Sequence, residues 1–418
     1  MIQPAAAAAR VHVVGAGLAG LSAAVALAGR GIPVVLSDAA KQAGGRCRSY
    51  HDGVLDMVID NGNHLVLSGN PAVARYLKAI GAEDRLMGPL RAEFPFFDLG
   101  TGERWTLRPN DGPVPWWILV RGRRVPGTHA GSYLALAALM RRHPGRRIDE
   151  VLACRGVLWE KLLRPLLVSI LNTAPEEASA DLAGAVMRET LAKGGRATQP
   201  RIATPTLAAA FVNPALEKLQ QAEVRLSRRL LAVRLENGRI AALTFSDGEE
   251  AVGPQDRVIL AVPPWTVQEL LPGVTAPDSF RAIVNAHFRI VPPAGAPLMT
   301  GLTGGTAEWV FAFPDRLSVT VSAADRLLEM DTDALTTLLW RDVAAVHGLS
   351  CPSPPCRIVK EKRATFAATP EQELRRPPAR TRWTNLFLAG DWTDTGLPAT
   401  IEGALRSGEA AALLAHPT

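Results

Sequence analysis

The 418-residue sequence predicts an α/β protein that opens on a strand–helix–strand unit of the dinucleotide-binding kind. Three observations carry that reading. Val11-His12-Val13-Val14 is a short apolar run suited to a buried parallel strand, and Gly15-Ala16-Gly17-Leu18-Ala19-Gly20 follows it at once. An Ala/Leu-rich helix then runs to about Arg30, Gly31 and Pro33 end it, and a second strand, Val34-Val35-Leu36, leads to an acid at Asp38. The composition, 47% hydrophobic and 21% charged, is that of a folded chain long enough for two or three lobes.

Each glycine has a physical reason. Gly15 permits the tight turn out of the strand, Gly17 leaves room for a pyrophosphate at the backbone, and Gly20 lets the helix pack on the sheet. Leu18 and Ala19 open a helix whose N-terminal N–H groups and dipole suit phosphate, beside the Ala16 backbone. Asp38, roughly 20 residues on from the glycines, is placed for a ribose 2′-OH and so favours an adenosine without a 2′-phosphate. Further along, Ala43-Gly44-Gly45-Arg46 suits a loop that brings backbone and guanidinium to phosphate together. Asp60-Asn61-Gly62-Asn63-His64 is a polar turn leading into an apolar run; by itself it also fits an ordinary hairpin. From Val224 to Val262 the chain shows three β-like runs with turns at Glu236-Asn237-Gly238 and Ser246-Asp247-Gly248. From Asn385 it reads as a buried strand, Gly390-Asp391, a loop and a helix starting near Ala399.

GAGLAG, the strand-end acid, GGR and the following Asp-x-Gly resemble the FAD-binding half of the amine oxidase and phytoene desaturase flavoproteins. The resemblance implies a Rossmann-like FAD-binding domain assembled from three discontinuous segments (1–71, 211–264 and 381–418) with an interleaved α+β substrate domain (72–210 and 265–380). It also implies that Gly45, Arg46, Asn63 and His64 lie along the cofactor and that the Leu230 backbone meets adenine. In the last segment, Gly390 and Asp391 would hold the ribityl or pyrophosphate region. Ala399, Thr400 and Ile401 would turn a helix N-terminus toward the flavin edge where negative charge gathers on reduction. With no cysteine after Cys356, thioether attachment there is disfavoured and the FAD is expected to be non-covalent.

Longer phrases narrow the resemblance: IDNGNHLVL at 59–67, LWEKLLRPLLVSILNTAPEEASA at 158–180, AIVNAHFRI at 282–290, KEKRATFAATP at 360–370 and LFLAGDWTDTGLPATIEGALRSGEAAA at 386–412. Together they are similar to the hydroxysqualene dehydroxylases of squalene and hopanoid biosynthesis. That implies a C30 allylic alcohol that loses its hydroxyl and receives hydride from reduced FAD. His64 is the first candidate for the proton donor, because an unperturbed imidazole titrates near neutrality; a histidine that merely bonds backbone or the flavin edge fits equally. Asp394 is the lesser candidate, with loop ordering as its other reading, and Glu402 flanks the same helix start.

The rivals are a desaturase or oxidase of another isoprenoid, an amine oxidase, and a non-catalytic FAD scaffold. Amine oxidases commonly carry a lysine on the strand that corresponds to 282–290, where this chain has Asn285 and His287 instead. The net charge of +6 does not point to nucleic acid, since 40 acids are interspersed and no basic run alternates with aromatics. Cys47, Cys154, Cys351 and Cys356 have no metal-ligand spacing and form no disulfide framework, so a reducing cytoplasm and no metal are expected. Val11–Ala28 imitates a signal peptide or membrane span, but its glycine pairs fit a phosphate loop better. A chain acting on lipid and lacking a span could touch a membrane surface, with Trp116-Trp117 and Leu158–Leu171, including Lys161 and Arg164, as the candidate face; burial of these residues as ordinary core fits at least as well. The helix expectations for the first insert are Pro71–Ile80, Gly131–Arg142, Ile148–Leu171 and Ala180–Lys193. For the second they are β-runs at Ala282–Ile290, Glu308–Phe313 and Leu317–Ser322 and a helix at Asp331–His347. Nothing in the sequence names the electron donor.

Overall fold

The computed structural model describes residues 9–416. The flank at residues 1–8 and the final two residues, and with them both outer ends of the expected FAD domain, lie outside the described residues.

A five-stranded sheet carries the dinucleotide unit, in the order Glu223–Arg225, Val34–Ser37, Val11–Val14, Arg257–Leu260, Leu386–Leu388, with all four pairings parallel. Strands far apart in sequence are thus neighbours, Val11 facing both Val34 and Arg257, and Leu260 facing Leu388. The inner strands are covered on both faces, which is why Val11–Val14 and its neighbours read as apolar runs, while the edge strand Glu223–Arg225 does not. Helix Leu18–Ala28 packs against helix Ile401–Ala415, and the contact needs glycine: a Cβ at Gly408 would stand 2.2 Å from the Ala19 carbonyl oxygen. The first helix stops at Ala28, short of Arg30, because Gly29 caps it and Gly31 takes φ +74°. Helix Pro71–Ile80 and residues 203–219 contribute Val73, Tyr76, Leu77, Phe211 and Leu219 to the same core as Leu21 and Leu27.

The expected three-run pattern is an antiparallel meander, Leu230–Glu236, Arg239–Phe245 and Gly248–Ala251. Its first turn uses left-handed Asn237 and Gly238.

Both inserts build one seven-stranded sheet, ordered Cys356–Phe366, Phe280–Phe288, Arg316–Val321, Trp309–Phe313, Met299–Thr303, Phe94–Asp98, Arg104–Leu107. One face packs Val284, Ala286, Phe288, Val319 and Val321 under helix Thr332–His347, whose N-cap Asp331 accepts from the Asp333 and Ala334 N–H groups. The opposite face looks toward the helical insert and the dinucleotide unit. The last two strands come from the first insert, where a helical bias hid them.

That insert is less helical than its composition suggests. The expected 148–171 helix is a short turn at Ile148–Glu150, an interruption at Gly156 (φ +93°), and then Trp159–Leu163 running into Arg164–Leu171. The Arg164 N–H reaches back five residues to Trp159, a wide turn just before Pro165, which has no N–H to give. Helix 131–142 shrinks to turns ending in Leu136–Leu139, and Ala180–Glu189 stops at the β-branched Thr190.

Gly20 sits where strand, loop and helix converge, and a Cβ there would stand 1.7 Å from the Gly15 carbonyl oxygen and 3.2 Å from Ala261 Cβ. Gly20→Ala is expected to destabilise the apo chain by about 3 kcal/mol, read as a lower urea midpoint. An unchanged midpoint would mean the loop is not held against the strand.

Candidate active site

At the nucleotide end, Gly15 adopts φ +107°, and a Cβ on it would strike the Ala261 carbonyl at 2.3 Å. Gly17 differs: an added Cβ would meet nothing within 4 Å. It is the N-cap of helix Leu18–Ala28, with no side chain bonded to the first-turn N–H groups. The Gly44 N–H bonds the Ala16 carbonyl at 2.8 Å, which lays the Ala43–Arg46 loop beside the phosphate loop. Asp38 accepts from the Ala16 N–H at 2.5 Å and the Ala40 N–H at 2.7 Å, bracing the loop. The second segment closes here: the Asp38 N–H bonds the Arg225 carbonyl, and the Arg228 N–H the Asp38 carbonyl. Leu230 is buried at the start of the meander.

At the other end, Arg46 Nη2 donates to Asp391 Oδ1 at 2.7 Å while Nη1 donates to the Ala364 carbonyl. Asp391 is buried, yet the Arg46 side chain keeps 43% of its exposure, so one side of this ion pair is open to solvent. Buried Arg376 ties the following loop by donating to the Asp391 and Thr393 carbonyls and Thr395 Oγ1. Gly390 (φ +149°) gives its N–H to Ser407 Oγ at 2.9 Å. Thr400 caps helix Ile401–Ala415 by accepting from Gly403 N–H, leaving the first-turn N–H groups at Ile401 and Glu402 before the intrahelical bonds begin. Ala399 and Thr400 are half-buried at that start.

The turn at 61–64 meets the seven-stranded sheet. Thr320 Oγ1 donates to Asn285 Oδ1 at 2.8 Å, Asn63 Nδ2 lies 3.2 Å from Thr320 Oγ1, and Asn61 Nδ2 donates to Glu361 Oε2 at 3.2 Å. Asn63 Oδ1 is buried without a hydrogen-bond partner among the described residues. Along the same face from Thr320 the sheet turns aromatic. Trp309 pairs with Thr320, Phe96 lies 5.6 Å from Trp309, and Phe96 stacks on Trp105 at 5.4 Å. Helix Arg164–Leu171 covers this wall, with Ser169 Oγ accepting from Trp309 Nε1.

His64 is half-buried in the cleft, and the neutral-range pKa expected of it does not hold. Burial, with the Arg46 cation adding to it against Asp391, pushes the imidazole down to about 4, so at pH 7 it is neutral. Asp394 is solvent-exposed, its N–H bonded to the Pro377 carbonyl. Glu402 does not serve its own helix: its carboxylate accepts from the Ala72 and Val73 N–H groups at 3.0 Å and from Arg406, capping helix Pro71–Ile80. His287 is fully buried with Nδ1 on Ser318 Oγ at 2.8 Å, and burial beside Arg316 drives it to about 3. Glu308, which no sequence signal marked, accepts from the Ser322 N–H, and burial lifts its carboxyl to about 7. Burial pushes the Cys47 thiol up to about 12. Among the described residues no three metal-ligating side chains gather, and no helix is long and apolar enough to cross a membrane.

An open glycine at a helix start, a guanidinium half-spent on its partner and an orphan amide oxygen fit a dinucleotide running from the loop at 15–20 to the turn at 61–64. Fold and site define a flavoprotein, and comparison with known proteins agrees: the family model for flavin containing amine oxidoreductases matches residues 18–414, and the chain belongs to that family, with FAD as its cofactor. Within it the chain groups with the hydroxysqualene dehydroxylases. It is 50% identical to that of Sinorhizobium fredii over 97% of this chain and 98% of the relative, and 49% identical to that of Zymomonas mobilis over the same shares. Among solved structures it resembles putrescine oxidase (TM-score 0.70, 16% identity, 97% and 98% covered). Cyclohexylamine oxidase from Brevibacterium oxydans is similar too (TM-score 0.70, 14% identity, 98% and 99% covered). At such identities these two speak for the fold alone.

Two outcomes follow. Gly17→Ala should leave the urea midpoint within about 1 kcal/mol of the parent yet weaken FAD binding at least tenfold by flavin fluorescence titration. Equal affinity would remove the loop from the phosphate site. The second concerns pH. Unfolded His287 binds a proton below pH 6.5 that the native imidazole refuses, so its contribution to stability grows as pH rises from about 3 to 6.5. Glu308 has the opposite sign: its contribution is full below its unfolded pKa and fades as pH rises through about 7. Relative to the parent, His287→Asn should therefore lose stability, and Glu308→Gln gain it, as pH rises from 5 to 6.5. Each difference should change by at most about 1.4 kcal/mol per pH unit in urea titrations; parallel curves would refute both assignments.

Proposed function

We propose that this chain carries out the reductive dehydroxylation of hydroxysqualene to squalene, the step that feeds hopanoid synthesis. The observation that carries the reading is half-identity over nearly the whole of both chains to relatives named for that activity. An aromatic, apolar face on the same sheet, next to the polar contact of Asn63, Thr320 and Asn285, supports it. In this reaction the C–O bond of an allylic alcohol breaks, the hydroxyl leaves as water after taking a proton, and hydride completes the new C–H bond.

FAD, when bound and in its reduced form, would supply that hydride. In this assignment residues 1–71, 211–264 and 381–418 bind it and the inserts at 72–210 and 265–380 take the substrate. Gly15, Ala16, Gly17, Leu18, Ala19 and Gly20 hold the pyrophosphate, Asp38 the ribose and Leu230 the adenine. Gly45, Arg46, Gly390 and Asp391 grip the middle of the cofactor. Asn63 and His64 line one edge of the ring, and Ala399, Thr400 and Ile401 present N–H groups to the other. The aromatic wall takes the prenyl arms and keeps water from the cationic carbon. The same cleft admits a second isoprenoid reading, desaturation, which runs the electrons the other way. Substrate and product both partition into lipid, so we place the chain in the cytoplasm with peripheral contact at the inner face of the plasma membrane.

His64 is the proposed proton donor. With its pKa near 4, the protonated form is a strong acid that is scarce at neutral pH, and its share grows about tenfold per unit of acidification. Photoreduced holoenzyme mixed anaerobically with hydroxysqualene should reoxidise its flavin and yield squalene, about tenfold faster for each pH unit from 7 toward 5. In His64→Ala the rate should fall about 100-fold and lose this slope while FAD stays bound. Flavin reduced by substrate would instead establish desaturation. A flat pH profile in the parent would take His64 out of the proton step.

A further inference from the structure

Two hollows flank one turn at the free edge of the seven-stranded sheet, away from the cleft. One, of about 490 Å³, is lined by Arg104, Arg108, Arg121 and Arg124 and backs onto Phe96 and Trp105. The other, of about 500 Å³, is lined by Arg91, Arg108 and Arg123. These six guanidiniums stand against two acids, Glu93 and Asp111. Only Arg108 is paired to either, at 3.3 Å from Glu93 and half-exposed.

Between the hollows the turn at 114–120 presents large apolar side chains to solvent: Val114 at 72%, Leu119 at 70%, Trp116 at 47% and Val120 at 42%. The turn is braced from behind. Asn110 accepts from the Trp117 N–H and donates to the Gly112 and Val114 carbonyls, and Trp117 is buried edge-on to Tyr133 at 5.2 Å. Trp116 faces outward beneath the Arg123 guanidinium, 4.7 Å above its ring. Of the face expected from the sequence, Trp117 and most of the apolar side chains of 158–171 are core, and Trp116 is the apolar residue left exposed.

We propose that this turn and its flanking hollows dock the protein on a bilayer surface containing anionic phospholipid. The apolar tip enters the headgroup and acyl boundary while the arginines take lipid phosphates. Charge complementarity selects the occupant. A free anion would use the arginines but leave four exposed apolar side chains unexplained, and a zwitterionic surface would leave the guanidiniums uncompensated. This inference rests on the reading of a lipid-borne substrate.

Full-length holoenzyme is sedimented with phosphatidylcholine vesicles, with and without 30% phosphatidylglycerol, and assayed in parallel on detergent-dispersed substrate. Binding to the anionic vesicles should be at least tenfold tighter and should collapse in 0.5 M salt. Leu119→Ser with Trp116→Ala should weaken it at least tenfold. Arg108→Gln with Arg121→Gln should abolish the preference for anionic lipid. Both variants should keep their FAD and their turnover in detergent while losing turnover on vesicle-borne substrate. Equal binding to both vesicle types, displacement by millimolar inorganic phosphate, or variants that pellet like the parent would overturn the proposal. Absence of turnover in detergent, with vesicle binding intact, would overturn the reaction and leave the docking surface standing.

Discussion

The ion pair between Arg46 and Asp391 is the contact on which the rest of the molecule depends. Its partners come from opposite ends of the chain, and each is tied to the second insert, Arg46 through the Ala364 carbonyl and the Asp391 backbone through Arg376. Neither charge is well placed without the other. Asp391 is buried, and removing Arg46 would leave a carboxylate out of water beside few donors, a situation that costs about 3–5 kcal/mol where it has been measured. Arg46 remains open on one side, so the pair both closes the structure and offers positive charge to whatever occupies the cleft. One contact thus joins the order of the segments to the chemistry of the site.

Much of the dinucleotide unit is legible in the sequence because its constraints are local. A strand buried on both faces has to be apolar throughout, and a phosphate loop between strand and helix leaves few choices but glycine at 15, 17 and 20. The meander announces itself through Asn237-Gly238 and Asp247-Gly248. What stays hidden is set by distant partners. The strands Phe94–Asp98 and Arg104–Leu107 finish a sheet begun by the second insert, and nothing near them says so. Helices fail for the same reason: the 148–171 stretch has helical composition, but Gly156 and Pro165 divide it, and neither residue shows in a count of apolar positions.

The site divides likewise. Residues that touch a cofactor through backbone are marked by small side chains and strict spacing. Those that act through their surroundings are not. Glu402 looks like a first-turn acid serving its own helix, and only the fold brings Ala72 and Val73 to it. Glu308 carries no motif, and its unusual carboxyl arises from burial next to Ser322. The neutral state of His64 is not legible in the sequence, because it depends on desolvation in the fold and on Arg46, 18 positions earlier.

The electrostatics of the cleft bear on which chemistry it favours. In the region where amine oxidases commonly place a lysine, this chain has Asn285, locked by Thr320 and facing Gly62 across 2.8 Å to its would-be Cβ. In the proposed reaction a cationic side chain there would stand close to a carbon that becomes positive as water leaves. At about 4 Å and an effective dielectric near 20, two like charges repel by about 4 kcal/mol, close to a thousandfold in rate. A neutral amide removes that penalty. The low pKa of His64 acts in the same direction, since an imidazole that gives up its proton returns to a neutral form the site already prefers, instead of persisting as a second cation beside the first. In the proposed reaction Asn285 and His64 would both suit a positive intermediate, and a lysine in place of the first would work against it.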